Sequence, residues 1–126
     1  MNAELPPTFY LKGNAVFDWI EVFDLESPRS KSGDPRAIWR IEPDGPPPRL
    51  HSVPPITYGK VPSGFVQTDP YSEPPPALQE GHRYQLRVII RSPDGNQLDE
   101  VFIIRNGKAE RIEGGDEEHK NPCFAD

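Results

Sequence analysis

The clearest alternation of apolar and polar positions lies in Leu78–Arg105. Tyr84, Leu86, Val88 and Ile90 fall on one side of a period-two pattern. Gln85, Arg87 and Arg91 fall on the other, with Ile89 as the one apolar residue among them. That spacing predicts a half-buried strand, because a helix would scatter the same residues around its circumference. Asp94-Gly95, preceded by Pro93, supplies a turn in which Gly takes a positive φ without steric cost. The return strand, Leu98–Arg105, holds Val101, Phe102, Ile103 and Ile104 in a row. A run apolar on both sides suggests a strand covered on both faces or lying at an interface. An apolar edge there would permit strand addition or homodimerisation. Asn106-Gly107 then predicts a second tight turn and a third strand at Lys108–Ile112.

Taken in order, the rest of the chain reads as further strands joined by long loops. Met1–Pro7 is an extended lead-in, Thr8–Lys12 a first edge strand, and Gly13-Asn14 its turn. Ala15–Leu25 is a long strand with two largely apolar faces, as a central strand would have. Ser27–Asp34 is a polar loop, and Arg36–Glu42 is a strand with Trp39 on its core side. Pro43–Pro55 contains a run suited to polyproline II geometry. Such runs can serve as ligands for aromatic-lined grooves, but one embedded in a domain reads better as a stiff connection. Ile56–Lys60 and Phe65–Thr68 are short strands around a Val-Pro-Ser-Gly turn. Asp69–Ala77 is again proline-rich, carries Tyr71 and three consecutive prolines, and leads into Leu78.

Leu78, Gly81 and Tyr84 stand as L-x-x-G-x-x-Y ahead of the alternating strand. This resembles the corner before the penultimate strand of fibronectin type III and immunoglobulin-like sandwiches. In those domains the Tyr hydroxyl bonds back to the chain a few residues upstream. The resemblance covers Leu78–Arg105 and, more loosely, Phe17–Trp19, where those domains carry a core Trp. It departs at Glu80, where Pro is common, and in the longer stretch between Trp19 and Leu78. It implies an all-β, antiparallel β-sandwich with Leu78 beneath the corner. It implies no catalytic residue, since such sandwiches host many unrelated functions.

Composition narrows the picture. The chain has 126 residues, of which 17 are Pro and 10 Gly, and 34% are hydrophobic. Proline is excluded from helix interiors and central strands, so much of the chain must be loops. A single sandwich over residues 8–112 is expected, with a flexible acidic tail at 113–126. A net charge of -6 argues against a nucleic-acid binder and suits a protein partner, a basic one included. No apolar run is long enough for a membrane span. The single Cys123 and the lack of a leader-like start favour a cytoplasmic, reducing compartment, with export after leader removal as the alternative.

Candidate chemistry is sparse. His51, His82 and His119 all fall in loops or the tail, and no Ser sits in a nucleophile elbow. His119 and Cys123 are two ligands at best, short of a metal site, so neither metal nor cofactor is expected. Asp18, Glu21, Asp24, Asp99 and Glu100 would support glycoside hydrolysis only if their strands brought a pair together. Tyr58, Phe65 and Tyr71 lie in proline-rich loops, where they either face a partner or pin the loops to the sandwich. The expectation is a non-catalytic protein-binding sandwich, acting through Tyr58, Phe65, Tyr71, Val101 and Ile103. The alternatives are a small acidic inhibitor or immunity protein that neutralises a basic enzyme, and a carbohydrate-binding module using Tyr58, Tyr71 and Trp39.

Overall fold

The computed structural model describes residues 5–26, 37–91, 93, 96–112 and 124–125. The expected Ser27–Asp34 loop, the Asp94-Gly95 turn and most of the 113–126 tail lie outside these residues. The strands are β1 (Thr8–Leu11), β2 (Val16–Asp24), β3 (Ala37–Pro43), β4 (Ile56–Thr57), β5 (Phe65–Asp69), β6 (Arg83–Arg91), β7 (Gln97–Arg105), β8 (Lys108–Arg111) and β9 (Phe124–Ala125). A single 3-10 turn, Leu50–Ser52, is the one helical element among the described residues. All pairings are antiparallel. They form a six-stranded sheet in the order β5-β3-β2-β6-β7-β8 and a three-stranded sheet in the order β4-β1-β9.

The two sheets share one core. β6 buries Tyr84, Leu86, Val88 and Ile90, the four alternating residues, while its other side is half-exposed. β2 contributes Phe17, Ile20 and Val22, and β3 contributes Trp39 and Ile41, all fully buried. Phe9 of β1 meets Phe102 of β7 across the sheets with ring centroids 5.9 Å apart. Leu50 and Val53 enter the same core from the connection between β3 and β4. That connection runs beside the start of β2, with the Phe17 amide donating to the Pro48 carbonyl at 2.8 Å.

A bulge in β2 decides which Trp is inside. The register with β6 shifts between Phe17 and Trp19, so Phe17 and Ile20 both point into the core. An extra residue on one strand changes the parity of everything beyond it. Trp19 is thereby turned to the outer side, and the buried Trp is Trp39 of β3. The placement of a core Trp at Phe17–Trp19 is corrected accordingly.

The corner before β6 is tied at several points. The Gln79 amide donates to the Tyr84 hydroxyl at 2.7 Å. Leu78 is half-buried against the core, and Gly81 takes φ 84. Glu80 reaches the next hairpin, where its carboxylate accepts from the amides of Asn106 at 2.5 Å and Gly107 at 3.1 Å. Asn106 and Gly107 both have positive φ, 56 and 72, as a tight two-residue turn between β7 and β8 requires.

Candidate functional site

The outer face of the six-stranded sheet carries an ordered set of side chains. Strand registers place Arg40, Glu21, Arg87 and Asp99 side by side across β3, β2, β6 and β7. Charge alternates along this row, which is the favourable arrangement for cross-strand neighbours. On one side of the row, Trp19 is paired with Ile89. On the other, Phe23, Gln85 and Val101 are aligned, with Ile103 opposite Arg83 beyond them. The two central arginines lean off the row onto these rings. The Arg40 guanidinium lies 4.3 Å from the Trp19 ring centre, and that of Arg87 lies 5.0 Å from Phe23. Each planar cation over a π face adds attraction and fixes both side chains.

Carboxylates complete the arrangement. Arg87 pairs with Asp99 at 3.2 Å, Arg40 with Glu42 at 3.3 Å, and Arg91 with Asp18 at 2.8 Å. Among the described residues no other strand or helix lies over this face. The Trp19 indole nitrogen is buried within it and has no hydrogen-bond partner among those residues. At one end, Asp18, Trp19, Glu42, Pro43, Gly45, Pro47 and Arg91 line a shallow hollow of about 200 Å³. Both of its carboxylates are held by arginines, which leaves no free acid–base pair there.

A second cluster lies at the edge of the core. Asp24 is buried and accepts from the Glu26 amide at 2.9 Å. Its other contact is the His82 Nδ1, 3.0 Å away. His82 stacks on Tyr84, and Tyr84 on Phe102. Burial pushes the Tyr58 and Tyr84 hydroxyls above the usual tyrosine range, and the Asp24 charge pushes both further. An Asp–His pair orients an imidazole, but no Ser, Thr or Cys of the described residues contacts His82. Among the described residues the pair is thus without the nucleophile that a triad needs.

The five candidate carboxylates do not converge. Asp18, Glu21 and Asp99 belong to the outer side of the sheet, whereas Asp24 and Glu100 belong to the core side. Glu100 forms an ion pair with Arg111 there. Among the described residues no group of three His, Cys, Asp or Glu side chains is placed to hold a metal ion. His119 and Cys123 lie outside those residues.

The residues expected to meet a partner separate into three groups. Tyr58 is buried, packs edge-on to Trp39 at 5.2 Å, and donates from its hydroxyl to the Pro76 carbonyl at 2.6 Å. It pins a loop instead of facing outward. Phe65 packs edge-on to Phe17 at the core margin. Trp39 is fully buried and donates to Gln67, so neither it nor Tyr58 can stack on a sugar. Tyr71 is 87% exposed. Val101 and Ile103 lie on the outer sheet face, half-exposed. They are not on an edge, because β8 pairs with β7 from Phe102 to Arg105. The expected apolar edge at Val101–Ile104 is corrected by that pairing, and the apolar character outside the core belongs to a face.

The sequence pattern did not single out Trp19, Phe23, Arg40 or Arg87. Their signal was the apolar occupancy of both faces of β2 together with arginines on the polar sides of β3 and β6. Comparison with family models, with curated proteins and with solved structures finds no match to this chain. No helix among the described residues is long and apolar enough to cross a membrane.

Proposed function

We propose that this chain is a non-catalytic, immunoglobulin-like β-sandwich that binds another protein through the outer face of its six-stranded sheet. The observation that carries the reading is the composition of that face. Trp19 is half-buried beneath Arg40 and Phe23 is buried beneath Arg87, on a sheet face that no other described strand or helix covers. Trp and Arg are the residues that dominate binding energy at protein interfaces, and they do so from the centre of a patch. Val101, Ile103 and Ile89 supply apolar surface near them, and the ion-paired carboxylates lie in the charged row between the two rings and at the Trp19 end of the face.

The immunoglobulin-like assignment draws on two features. One is the Tyr84 hydroxyl bonded back to Gln79 at the corner before β6. The other is the antiparallel order β3-β2-β6-β7 at the centre of the large sheet, which resembles the sheet of variable-type domains that carries their penultimate and last strands. β5 departs from it, because it follows β4 of the small sheet yet pairs with β3.

The inhibitor reading is less well supported by position. Five of the 20 acidic residues stand in 113–126, outside the described strands, while the sheet face is balanced in charge. A docking face of balanced charge favours geometric fit over simple attraction to a basic enzyme. The test is affinity capture from the native source with the wild-type chain and with a Trp19→Ala/Arg87→Glu variant. A stoichiometric protein retained by the wild type and lost by the variant supports the sheet face. Equal retention by both sends the search elsewhere on the molecule.

A further inference from the structure

Strand register fixes the order of charges on the outer sheet face. The row runs Arg40 on β3, Glu21 on β2, Arg87 on β6 and Asp99 on β7, alternating positive and negative. Both arginines are paired within the chain, Arg40 with Glu42 and Arg87 with Asp99. Glu21 stands half-buried between them and is in no ion pair with a described residue.

A row in this order is its own complement when turned end for end. Two copies that meet face to face with aligned strands are related by a two-fold axis lying between the sheets. An axis along the row sets arginine on arginine and carboxylate on carboxylate, which is repulsive. An axis along the strands, between β2 and β6, reverses the row. Arg40 then faces Asp99 of the second copy, Glu21 faces its Arg87, and each pair occurs twice.

The same rotation brings the apolar side chains into line. Trp19 of β2 is paired with Ile89 of β6 within the chain, so Trp19 of one copy lies over Ile89 of the other. Asp69 of β5 continues the row beyond Arg40. It faces no strand of the second copy, because β8 pairs with β7 at Phe102–Arg105, away from Asp99. Moving the axis one strand over, between β3 and β2, also opposes unlike charges, with Asp69 on Arg87. It takes Trp19 off Ile89, however, and toward Glu42, which lines the same hollow. Charge and apolar contact agree at the axis between β2 and β6.

We infer that the occupant of the outer sheet face is a second copy of this chain, docked about a two-fold axis running along β2 and β6. The inference rests on the sheet-face reading above and names its partner. Facing sheets pack about 10 Å apart, a gap that arginine and carboxylate side chains bridge from opposite sides. A contact of this kind is self-complementary and closes at two copies.

The test is sedimentation of the purified full chain from about 1 to 500 µM at low salt, a range that brackets a micromolar Kd. The wild type is expected to pass from monomer to dimer. Glu21→Arg and Arg87→Glu each create two like-charged pairs across the axis, so each alone should associate at least tenfold more weakly. Mixed in equal amounts, the two variants oppose unlike charges at every position of the row, and the mixture should dimerise within about threefold of the wild type. Arg40→Asp mixed with Asp99→Arg repeats the exchange on the outer strands, should Arg87→Glu fail to fold. A wild type that stays monomeric throughout overturns the inference. So does a mixture of folded variants that associates no better than its components, or single variants that associate as the wild type does. If the wild type is monomeric yet retains a different protein that Trp19→Ala/Arg87→Glu loses, the second copy is overturned and the sheet face stands.

Discussion

Replacing Tyr84 by Phe isolates one hydroxyl in the middle of the fold. The ring is buried and stacks between His82 and Phe102, and all of that packing survives the substitution. What is lost is the acceptor for the Gln79 amide, 2.7 Å away. A hydrogen bond of this kind contributes about 0.5–1.5 kcal/mol net, because water competes for both partners in the unfolded chain. Gln79 itself is exposed, so its orphaned amide can be rehydrated and the upper penalty for a buried donor does not apply. The expected loss is about 1 kcal/mol. Tyr84→Ala removes the ring as well and should cost roughly 3–5 kcal/mol, as truncation of a buried aromatic does. Urea unfolding measures both. With a slope of about 1–2 kcal/mol per molar, Tyr84→Phe should lower the midpoint by roughly 0.5–1 M without changing the slope. Amide exchange at Gln79 should quicken in the same variant. A midpoint unchanged from the wild type, with Gln79 still protected, would refute the hydroxyl as the tie at this corner.

Three further outcomes follow from the same geometry. Gly107→Ala should cost about 1–2 kcal/mol by thermal or urea unfolding. Its φ is 72 and nothing lies within 4 Å of the added carbon, so backbone strain is the whole effect. Glu80→Ala should cost about 1 kcal/mol, because it strips two amide bonds from the Asn106-Gly107 turn. Exchange at those two amides should rise in step. The contribution of the buried tyrosines to stability should be constant up to about pH 10, where unfolded tyrosines titrate, and fall above it. The folded hydroxyls of Tyr58 and Tyr84 hold their protons to higher pH than the unfolded ones. Each can remove up to about 1.4 kcal/mol per pH unit. Tyr58→Phe should flatten that decline in urea midpoints taken between pH 10 and 12.

The β-strands were legible wherever one face was apolar and the other polar. β6 is the clearest case: its four alternating residues are its four buried ones. The strands apolar on both sides were harder. In β2, alternation could not show the bulge between Phe17 and Trp19, because either parity placed large apolar residues inside. The ring that turned outward is the centre of the proposed interface. In β7, the run Val101–Ile104 was apolar for two reasons at once. Phe102 and Ile104 fill the core, and Val101 and Ile103 line the outer face.

Loop residues were the least legible, since their partners are far away in sequence. Tyr58 and Tyr71 both lie in proline-rich stretches, yet one is buried and bonded to Pro76 and the other is open to solvent. Nothing local distinguishes them. The Asp24–His82 pair joins residues 58 apart and the Trp39–Gln67 bond joins residues 28 apart. Only the register of β2, β3, β5 and β6 brings those groups together. Glu80, by contrast, was visible as a departure from the corner sequence that this stretch resembles, and its carboxylate holds the neighbouring turn.

The central claim is that the outer sheet face is a protein-binding surface, and it is tested most directly by calorimetry. The partner captured with the wild-type chain is purified and titrated into the wild type and into Trp19→Ala. Affinity for Trp19→Ala should be at least tenfold weaker, equal to about 1.4 kcal/mol or more from one central aromatic. The same affinity for both chains would contradict it.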